Sequence, residues 1–223
     1  MLVRTPEPEL MNEEDQVLAY SNADFAEAHN ALLGHLKRVL PAGQKTAQIL
    51  DLGCGPGDMT FRLYKMFTNS SIHAIDGSEA MVESSRRFFA PLLMCGGAPF
   101  PVKWSCGLIQ DVKLADHYDL IFSNSLLHHI HRPADFWNVI KSLSTGSAFV
   151  FVSDLKRPSS DDEAKQLADR YSAGQPEILC RDFYNSLLAA FRPDEVEAQL
   201  NEAGLSLQVE PVSDRHLIVY GLI

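Results

Sequence analysis

Three glycines at alternate positions mark the part of this chain best suited to hold a ligand. Gly53, Gly55 and Gly57 follow an apolar run, residues 49–52, and precede a helical pattern that begins at Asp58. Side chains at these positions would keep a ligand away from the backbone. In a dinucleotide-binding fingerprint the sixth position is also glycine, but counted from Gly53 that position is Asp58. Because an acid at a helix start repels pyrophosphate, NAD, FAD and phosphate-binding loops are disfavoured.

A second acidic residue lies where a sugar-binding group is needed. Asp76 ends a short apolar run, residues 72–76, about 20 residues beyond Gly57. A carboxylate at the end of a second strand can accept hydrogen bonds from both hydroxyls of a ribose. A ribose-bearing ligand that has a cationic centre and an ammonium group, but no phosphate, suits both motifs. S-adenosylmethionine has these features, so the residues favour it as the cofactor.

Two candidate catalytic residues follow later apolar runs. His128 comes after residues 118–123, and Asp154 comes shortly after residues 148–152. Ligands of open α/β sheets bind at the carboxyl ends of the strands, where both residues would lie. An imidazole with an ordinary pKa of about 6.5 can take a proton from a hydroxyl or an amine. The alternative for His128, and more so for His129, is local packing and hydrogen bonding.

The histidines at 128, 129 and 131 also raise the question of a metal site. They follow one another too closely to face one ion from a helix or strand without strain, and no glutamate completes a familiar pattern. We therefore predict no metal ligand in this segment.

Strand and helix patterns alternate along most of the chain. Helical periodicity covers residues 22–40, 58–67, 78–89 and 133–143, and Pro193 and Gly204 bound a further helix. Strands that are apolar nearly throughout and separated by helices require a parallel sheet covered on both faces. Residues 205–209 and 216–220 are typical of an antiparallel hairpin. The sequence predicts an α/β fold with a doubly wound sheet.

The composition restricts the possible partners. The 223 residues are 46% apolar, which suits one globular domain, and 29 acidic against 19 basic residues give a formal charge of −10. This charge repels phosphate backbones and anionic lipid, so neither nucleic acid nor a membrane is an expected partner. The four cysteines, Cys54, Cys95, Cys106 and Cys180, show no paired spacing and indicate reduced thiols. With no leader-like segment at the start, we expect a cytoplasmic protein.

The motifs over residues 48–152 resemble those of the class I S-adenosylmethionine-dependent methyltransferases. The resemblance rests on residues 51–57, 74–78 and 118–123, and it implies a seven-stranded Rossmann-like sheet with the last strand antiparallel. By position it implies that Asp51 orients the loop and the methionine ammonium, and that Asp76 holds the ribose. The implied cofactor-binding residues are Asp51, Gly53, Gly55, Gly57, Asp76, Gly77, Ser78, Leu108, Ile109 and Ser123. The acid that many members place against adenine is replaced here by Leu108, so backbone groups, with Ile109 and Gln110, would hold that ring.

The remaining segments are expected to control the acceptor. Residues 1–45 would form an N-terminal helical cap and residues 156–192 a helical insertion over the active-site edge of a single domain, 1–223. Tyr171, Tyr184, Arg181 and His216 are further candidates whose ordinary explanation is packing. We expect a methyltransferase with a small-molecule acceptor; a non-catalytic cofactor-binding protein and an NAD-dependent oxidoreductase on the same sheet are the alternatives. The sequence leaves open whether O, N, S or C is methylated, and also the oligomeric state.

Overall fold

In a computed structural model of the chain, strands and helices alternate from residue 48 onward. The structure describes residues 2–93, 101–114, 117–143 and 147–223, and of residues 90–93 only the backbone. The strands are β1 (Gln48–Leu52), β2 (Ser71–Asp76), β3 (Val102–Cys106), β4 (Leu120–Asn124), β5 (Phe149–Leu155), β6 (Gln208–Pro211) and β7 (His216–Leu222). The helices are α1 (Glu14–Asn22), α2 (Ala26–Val39), α3 (Asp58–Met66), α4 (Glu79–Leu93), α5 (Pro133–Ser142), α6 (Asp161–Tyr171), α7 (Glu177–Ala189) and α8 (Pro193–Ala203), with a short 3₁₀ turn at Leu127–His129.

The seven strands form one sheet in the order β3-β2-β1-β4-β5-β7-β6. Neighbouring strands from β3 to β5 pair in parallel, and β7 runs antiparallel to both β5 and β6. The order reverses direction between β1 and β4, which is the point where open α/β sheets bind ligands. The predicted α/β class, the doubly wound sheet and its antiparallel last strand are confirmed.

Both faces of the sheet are covered by apolar side chains. Leu50 and Ile121 point to a cluster with Phe136 and Trp137 of α5, all essentially buried. Ile49, Leu120 and Phe122 point the other way, toward Leu36 of α2 and Leu63 of α3. Successive strand residues point to opposite faces, so the continuous apolar runs are what a doubly covered sheet requires.

Two predicted boundaries were wrong for identifiable reasons. The helix expected at 22–40 begins only at Ala26, because α1 ends at Asn22 and the Ala26 N–H bonds to the Asp24 side chain at 2.9 Å. The strand expected at 205–209 begins at Gln208, because Leu205 N–H still bonds to Leu200 O at 2.9 Å beyond the left-handed Gly204. Within the predicted helical insertion, residues 156–192, the structure has α6 and α7, and α7 begins directly after Pro176.

The segments expected to cap the site lie at its edge. Residues of α2 and the segment before it, and residues of α6 and α7, line the cavity at the carboxyl end of the strands. Within the described part of the chain, none of the helices is long and apolar enough to cross a membrane. Cys54, Cys106 and Cys180 are free thiols, and Cys95 lies outside the described residues.

Candidate active site

The glycine loop turns sharply between β1 and α3. Gly53, Gly55 and Gly57 all have positive φ, at 73°, 52° and 95°. The loop is held against β2, since the amides of Gly53 and Cys54 both donate to Ile75 O, at 2.8 and 2.9 Å. The three glycines do different work. A Cβ at Gly55 would meet no atom within 4 Å, so the loop leaves open space there.

Gly53 and Gly57 are required by close packing as well as by φ. A Cβ at Gly53 would lie 2.9 Å from the Leu126 Cβ, and one at Gly57 would lie 2.3 Å from Ser85 Oγ. Gly57 does not line the cavity, so its expected role in ligand approach is better described as letting α3 start against α4. Gly53 and Gly55 do line the cavity.

Asp76 ends β2 and is joined to the loop. Its two carboxylate oxygens accept from the amides of Gly55 and Ser78, each at 2.8 Å. Burial raises the pKa of Asp76, while these two hydrogen bonds lower it. Each oxygen keeps a second lone pair, and the side chain faces the cavity. The carboxylate therefore both fixes the loop and remains able to accept from a ligand's hydroxyls.

Asp51 lies beneath the same loop and is fully buried. Its carboxylate accepts from Thr60 Oγ1 at 2.5 Å, and burial raises its pKa to about 7 despite that hydrogen bond. A cation bound beside it would favour the ionised form and so pull this pKa down. The site is electrostatically suited to a positively charged ligand.

Asp58 is neutralised by its neighbours. It accepts from His29 Nδ1 at 2.5 Å and from Arg62 Nε at 2.7 Å. Although burial opposes it, these two partners hold the pKa of Asp58 below its ordinary value. Its repulsion of a phosphate is weaker than the sequence argument assumed, because His29 of α2 and Arg62 share its charge.

One cavity of about 770 Å³ joins most of the expected site residues. Its wall includes Asp51, Gly53, Gly55, Asp76, Gly77, Leu108, Ile109, Gln110, His128 and His129. Leu108 lies next to Gly77, and Leu10 lies there too: a Cβ on Gly77 would come 2.4 Å from the Leu10 Cδ2. The apolar surface expected for an adenine ring is therefore shared with a residue of the N-terminal segment.

Ser78, Ser123 and Asp154 were also expected to face the ligands, but none of them lines this cavity. The Ser78 hydroxyl accepts from Met81 N–H at the start of α4, and Ser123 Oγ donates to Leu52 O at 2.9 Å. Both hydroxyl groups therefore bond to backbone groups of the protein. At the end of β4 the wall is instead formed by Asn124 and Ser125.

Ser125 has φ 55°, a conformation that side-chain-bearing residues rarely adopt. Its amide donates to Ser153 O at 2.9 Å, so the sheet edge holds this residue in place. Strained backbone of this kind persists where the surrounding structure fixes it, often at functional sites.

His128 and Asp154 form a buried pair. The Nδ1 of His128 lies 2.5 Å from Asp154 Oδ1, and the two side chains are 2% and 3% exposed. Asp154 also accepts from the amides of Leu127 and Leu155, both at 2.7 Å. Burial alone would lower the pKa of His128, but Asp154 and Glu7 outweigh burial and raise that pKa. Burial alone would raise the pKa of Asp154, but its pairing with His128 outweighs burial and lowers that pKa. Asp154 thus reaches the cavity only through His128.

The residue that the sequence reasoning missed here is Glu7. Its Oε1 lies 3.4 Å from His128 Nε2 and 3.6 Å from His129 Nδ1, and it accepts from Ser186 Oγ at 2.8 Å. One donor atom from each of Glu7, His128 and His129 falls within 4.8 Å of the others. The argument against a metal ion considered the three histidines alone and did not include Glu7. The absence of a metal ligand in this segment stays a prediction. The only signal in the sequence was the Pro6 and Pro8 pair, which keeps the segment extended.

The other candidates divide into wall and support. Tyr171 lines the cavity; its hydroxyl donates to Asp214 at 2.7 Å, and its ring lies 3.2 Å beneath the Arg215 guanidinium. His216 lines it too, with a pKa that burial lowers to about 4. Tyr184 and Arg181 do not line it; they bond to Asp161 and Asp182.

The comparisons with known proteins agree with this geometry. Residues 49–146 match the family model described as a methyltransferase domain. Malonyl-[acyl-carrier protein] O-methyltransferase of Anoxybacillus flavithermus is 30% identical over 98 residues, which are 44% of this chain and 34% of that protein. Trans-aconitate 2-methyltransferase of Deinococcus radiodurans is 31% identical over 104 residues, 46% of this chain and 35% of that protein. The chain thus covers little more than a third of the length of these two curated relatives.

Solved structures show the same fold over nearly the whole chain. A SAM-dependent methyltransferase from Aquifex aeolicus superposes with a TM-score of 0.69 at 20% identity, covering 96% of this chain and all of that one. The plantazolicin methyltransferase BpumL, solved with a triazolic desmethylPZN analogue and SAH, gives a TM-score of 0.67 at 15% identity, covering 93% of this chain and 90% of that one. Residues 49–146 are thus similar to a methyltransferase domain, and nearly the whole chain shares the fold of a SAM-dependent methyltransferase. BpumL was solved with SAH, the product that S-adenosylmethionine leaves after methyl transfer.

Proposed function

We propose that this chain transfers a methyl group from S-adenosylmethionine to a small-molecule acceptor. The observation that carries the proposal is that one cavity of about 770 Å³ joins the glycine loop, Asp51 and Asp76 to His128. That volume is within the range of small-molecule sites and is large enough for two ligands in contact. Trans-aconitate, the acceptor named for one relative, is a small molecule and supports an acceptor of this general size.

The residues of the loop fit the cofactor. The open space at Gly55 would admit a ligand against the backbone, and Asp51, which lines the same cavity, would hold an ammonium group. Asp76 would accept from the ribose hydroxyls, and Leu108, Ile109 and Gly77 would surround the adenine. When bound, the cofactor supplies an electrophilic methyl group carried by a sulfonium centre. The rest of the cofactor leaves as a neutral thioether.

Positioning is the main task of the protein in such a displacement. Holding the nucleophile in line with the methyl carbon, roughly 3 to 3.5 Å away, can lower the barrier by about 7 to 11 kcal/mol. We assign this task to the N-terminal cap, residues 1–45, and to the insertion, residues 156–192. Both contribute wall residues to the cavity, including Phe25, Ser172 and Phe183. Closed over the cavity, they would exclude water.

We further propose that His128 and Asp154 act as the acid–base pair for acceptors that start protonated. Asp154 fixes the Nδ1–H tautomer of His128 through the 2.5 Å contact, which leaves Nε2 to take a proton. His128 lines the cavity and Asp154 stands behind it, so Asp154 acts by orienting the imidazole.

Label transfer tests the proposal directly. The protein is incubated with methyl-labelled cofactor and fractions of a small-molecule extract, and labelled product is separated from cofactor. We expect consumption of cofactor together with a labelled small molecule. Tight binding of S-adenosylhomocysteine without any label transfer would contradict catalysis and would leave the non-catalytic binder as the function. Binding of NADH, followed by its fluorescence, would contradict the cofactor assignment.

We also propose the cytoplasm as the compartment. The free thiols of Cys54, Cys106 and Cys180 support it, since oxidising compartments favour disulfides. The formal charge of −10 supports the absence of nucleic acid and membrane partners. Cell fractionation with an antibody to the chain would test the location.

A further inference from the structure

The N-terminal strap, residues 2–12, is anchored along the acceptor side of the cavity. Its Arg4 donates from Nε to Ala189 O at 2.6 Å and from Nη2 to His128 O at 2.8 Å. The guanidinium also lies 4.0 Å from the centre of the Phe191 ring. The Thr5 amide adds a bond to Leu188 O at 3.0 Å. His131 Nε2 donates to the Glu7 carbonyl at 2.8 Å. The strap is therefore held on both sides of the Glu7 side chain, by Arg4 and Thr5 before it and by His131 at its carbonyl.

Glu7 faces the second nitrogen of the buried histidine. Asp154 is 2.5 Å from His128 Nδ1, and Glu7 is 3.4 Å from His128 Nε2, so a carboxylate lies beside each ring nitrogen. Glu7 is 11% exposed and His128 is 2% exposed. Two carboxylates around one imidazole stabilise its protonated form and make it a better proton acceptor. Such an arrangement is useful when the acceptor must lose a proton.

The patch of wall in front of Glu7 is made of His128, His129 and Ser186, all of which line the cavity. Burial and the nearby His128 lower the pKa of His129 to about 3, so its ring is neutral at physiological pH. Ser186 donates to Glu7 at 2.8 Å, which leaves its oxygen free to accept. The patch presents hydrogen-bond acceptors around a site where protons can be taken up.

The cations of the cavity wall are already engaged. Among the described residues that line it, the guanidiniums are those of Arg62 and Arg215, and no lysine is present. Arg62 bonds to Asp58 and Asn30 at 2.7 Å each, and Arg215 pairs with Asp214 at 3.2 Å while lying over the Tyr171 ring. In the part of the chain that the structure describes, seven carboxylates line the same wall: Glu9, Asp24, Glu27, Asp51, Asp58, Asp76 and Asp135. A carboxylate acceptor would therefore enter an acidic cavity without an unengaged cation to receive it.

We propose, resting on the methyl-transfer function above, that His128, His129 and Ser186 form the acceptor subsite, that Glu7 is its positioning residue, and that the acceptor is an alcohol, phenol or amine. The acceptor's O–H or N–H lies against His128 Nε2. As the new bond from oxygen or nitrogen to the methyl carbon forms, the carbon–sulfur bond breaks and its electron pair stays on sulfur. The acceptor's proton moves to His128 Nε2, between the carboxylates of Glu7 and Asp154.

This assignment differs from what the printed names of two relatives suggest. Malonyl-[acyl-carrier protein] and trans-aconitate are carboxylic acids, and a carboxylate nucleophile arrives already ionised. It needs no base, so the buried group of Glu7, His128 and Asp154 would have no proton to take from it. The acceptor of this chain is then of another chemical class.

The stability of the labelled product to alkali tests the acceptor class. Methyl-labelled cofactor and a small-molecule extract are incubated with the full chain, and the product is treated with mild alkali. Methyl esters release volatile labelled methanol, whereas methyl ethers and methylamines keep the label. We expect the label to be retained. Release of methanol would overturn the acceptor class and leave methyl transfer intact, while no transfer at all would contradict the function itself.

The Glu7→Gln variant tests the positioning role. Arg4 and His129 also lie near His128 and disfavour its charge, so Glu7 and Asp154 are the groups that sustain its proton affinity. In the parent, turnover should fall on acidification with a midpoint above pH 6.5, where His128 gains its proton. In Glu7→Gln that midpoint should move to lower pH and kcat should drop at least tenfold, with S-adenosylhomocysteine affinity changed less than twofold. Glu7→Asp should restore part of the midpoint shift.

Glu202→Gln is the control, since Glu202 is exposed on α8, outside both the cap and the insertion, and does not line the cavity. It should leave both the pH profile and kcat unchanged. An unaltered pH midpoint in Glu7→Gln would overturn the positioning role, and so would loss of turnover in EDTA with recovery on added zinc. The zinc result would mean that an ion held by Glu7, His128 and His129 organises the subsite.

Discussion

Replacing Asp76 with asparagine separates the cofactor assignment from the fold. Asparagine keeps the size of the side chain but replaces a charged acceptor oxygen with an NH₂ group. In the free protein the two carboxylate oxygens already accept from Gly55 and Ser78, at 2.8 Å each. The ribose hydroxyls would add two further charge-assisted hydrogen bonds on the cavity side.

The expected loss of affinity follows from those two bonds. A hydrogen bond to a charged group contributes about 1.5 to 3 kcal/mol, so two bonds set a range of about 3 to 6 kcal/mol. The lower end applies because the remaining amide oxygen still accepts one hydroxyl. A loss of about 3 kcal/mol corresponds to a roughly 150-fold rise in Kd. Burial raises the pKa of Asp76, so parent affinity should also fall on acidification at a higher pH than an ordinary aspartate would cause, and Asp76→Asn should lack this fall.

Isothermal titration with S-adenosylhomocysteine measures the effect, and thermal unfolding without ligand shows whether the loop itself has been damaged. Asp111→Asn is the matched control, because Asp111 is exposed on the loop after β3 and does not line the cavity. Its Kd should equal that of the parent. A folded Asp76→Asn protein that binds within threefold of the parent would refute the ribose contact and the reasoning from Gly53 to Asp76.

Three further results are expected. Gly57→Ala should lower Tm by roughly 4 to 8 °C, which corresponds to about 2 kcal/mol, because φ is 95° and the new Cβ would lie 2.3 Å from the Ser85 hydroxyl oxygen. Gly55→Ala should lower Tm less, because φ is 52° and a Cβ there would meet open space. Calorimetric scans that show the reverse order would contradict this. Asp154→Asn should lower the free energy of unfolding in urea by about 3 kcal/mol near pH 6 and by less at pH 9. The pKa of His128, its imidazole partner, is raised, so the stabilisation from the charged pair is lost as pH rises. Equal losses at the two pH values would exclude the charged pair. Cofactor binding near pH 7 should release a proton from Asp51, whose pKa is about 7 when empty, and binding enthalpies that do not vary with buffer would show that it does not.

The cofactor half of the site could be predicted because its residues are close together in the sequence. The loop from Gly53 to Gly57 needs positive φ at each glycine, and Asp76 must end the adjacent strand. Both conditions are local in the sequence. Each requires a particular residue type, glycine or aspartate, at a fixed position. Ser123 could not be judged in the same way. A serine at a strand end can face a ligand or bond to a neighbouring strand, and here it bonds to Leu52 O.

The proposed acceptor subsite could not be predicted from the sequence because its residues come from distant segments. Glu7 meets His128, and it meets Ser186 across 179 positions of chain; neither contact has a periodicity or a motif. The His129 ring also contacts the strap, because its Nδ1 lies 3.2 Å from Pro8 O. The sequence identified His128 and Asp154 from strand ends, but it could not show that Asp154 stands behind His128.

This division limits what relatives can reveal about the acceptor. The family model matches residues 49–146, a span that holds the whole glycine loop, Asp76 and His128. Glu7, Asp154 and Ser186 all lie outside it. Likeness over that span therefore includes the loop and the two histidines of the proposed acceptor subsite, whereas Glu7, Asp154 and Ser186, which surround His128 and Glu7 in that subsite, belong to parts of the chain that the relatives need not share. An acceptor class that differs from theirs is compatible with every residue that the match covers, and the charge around His128 is the evidence by which it has to be decided.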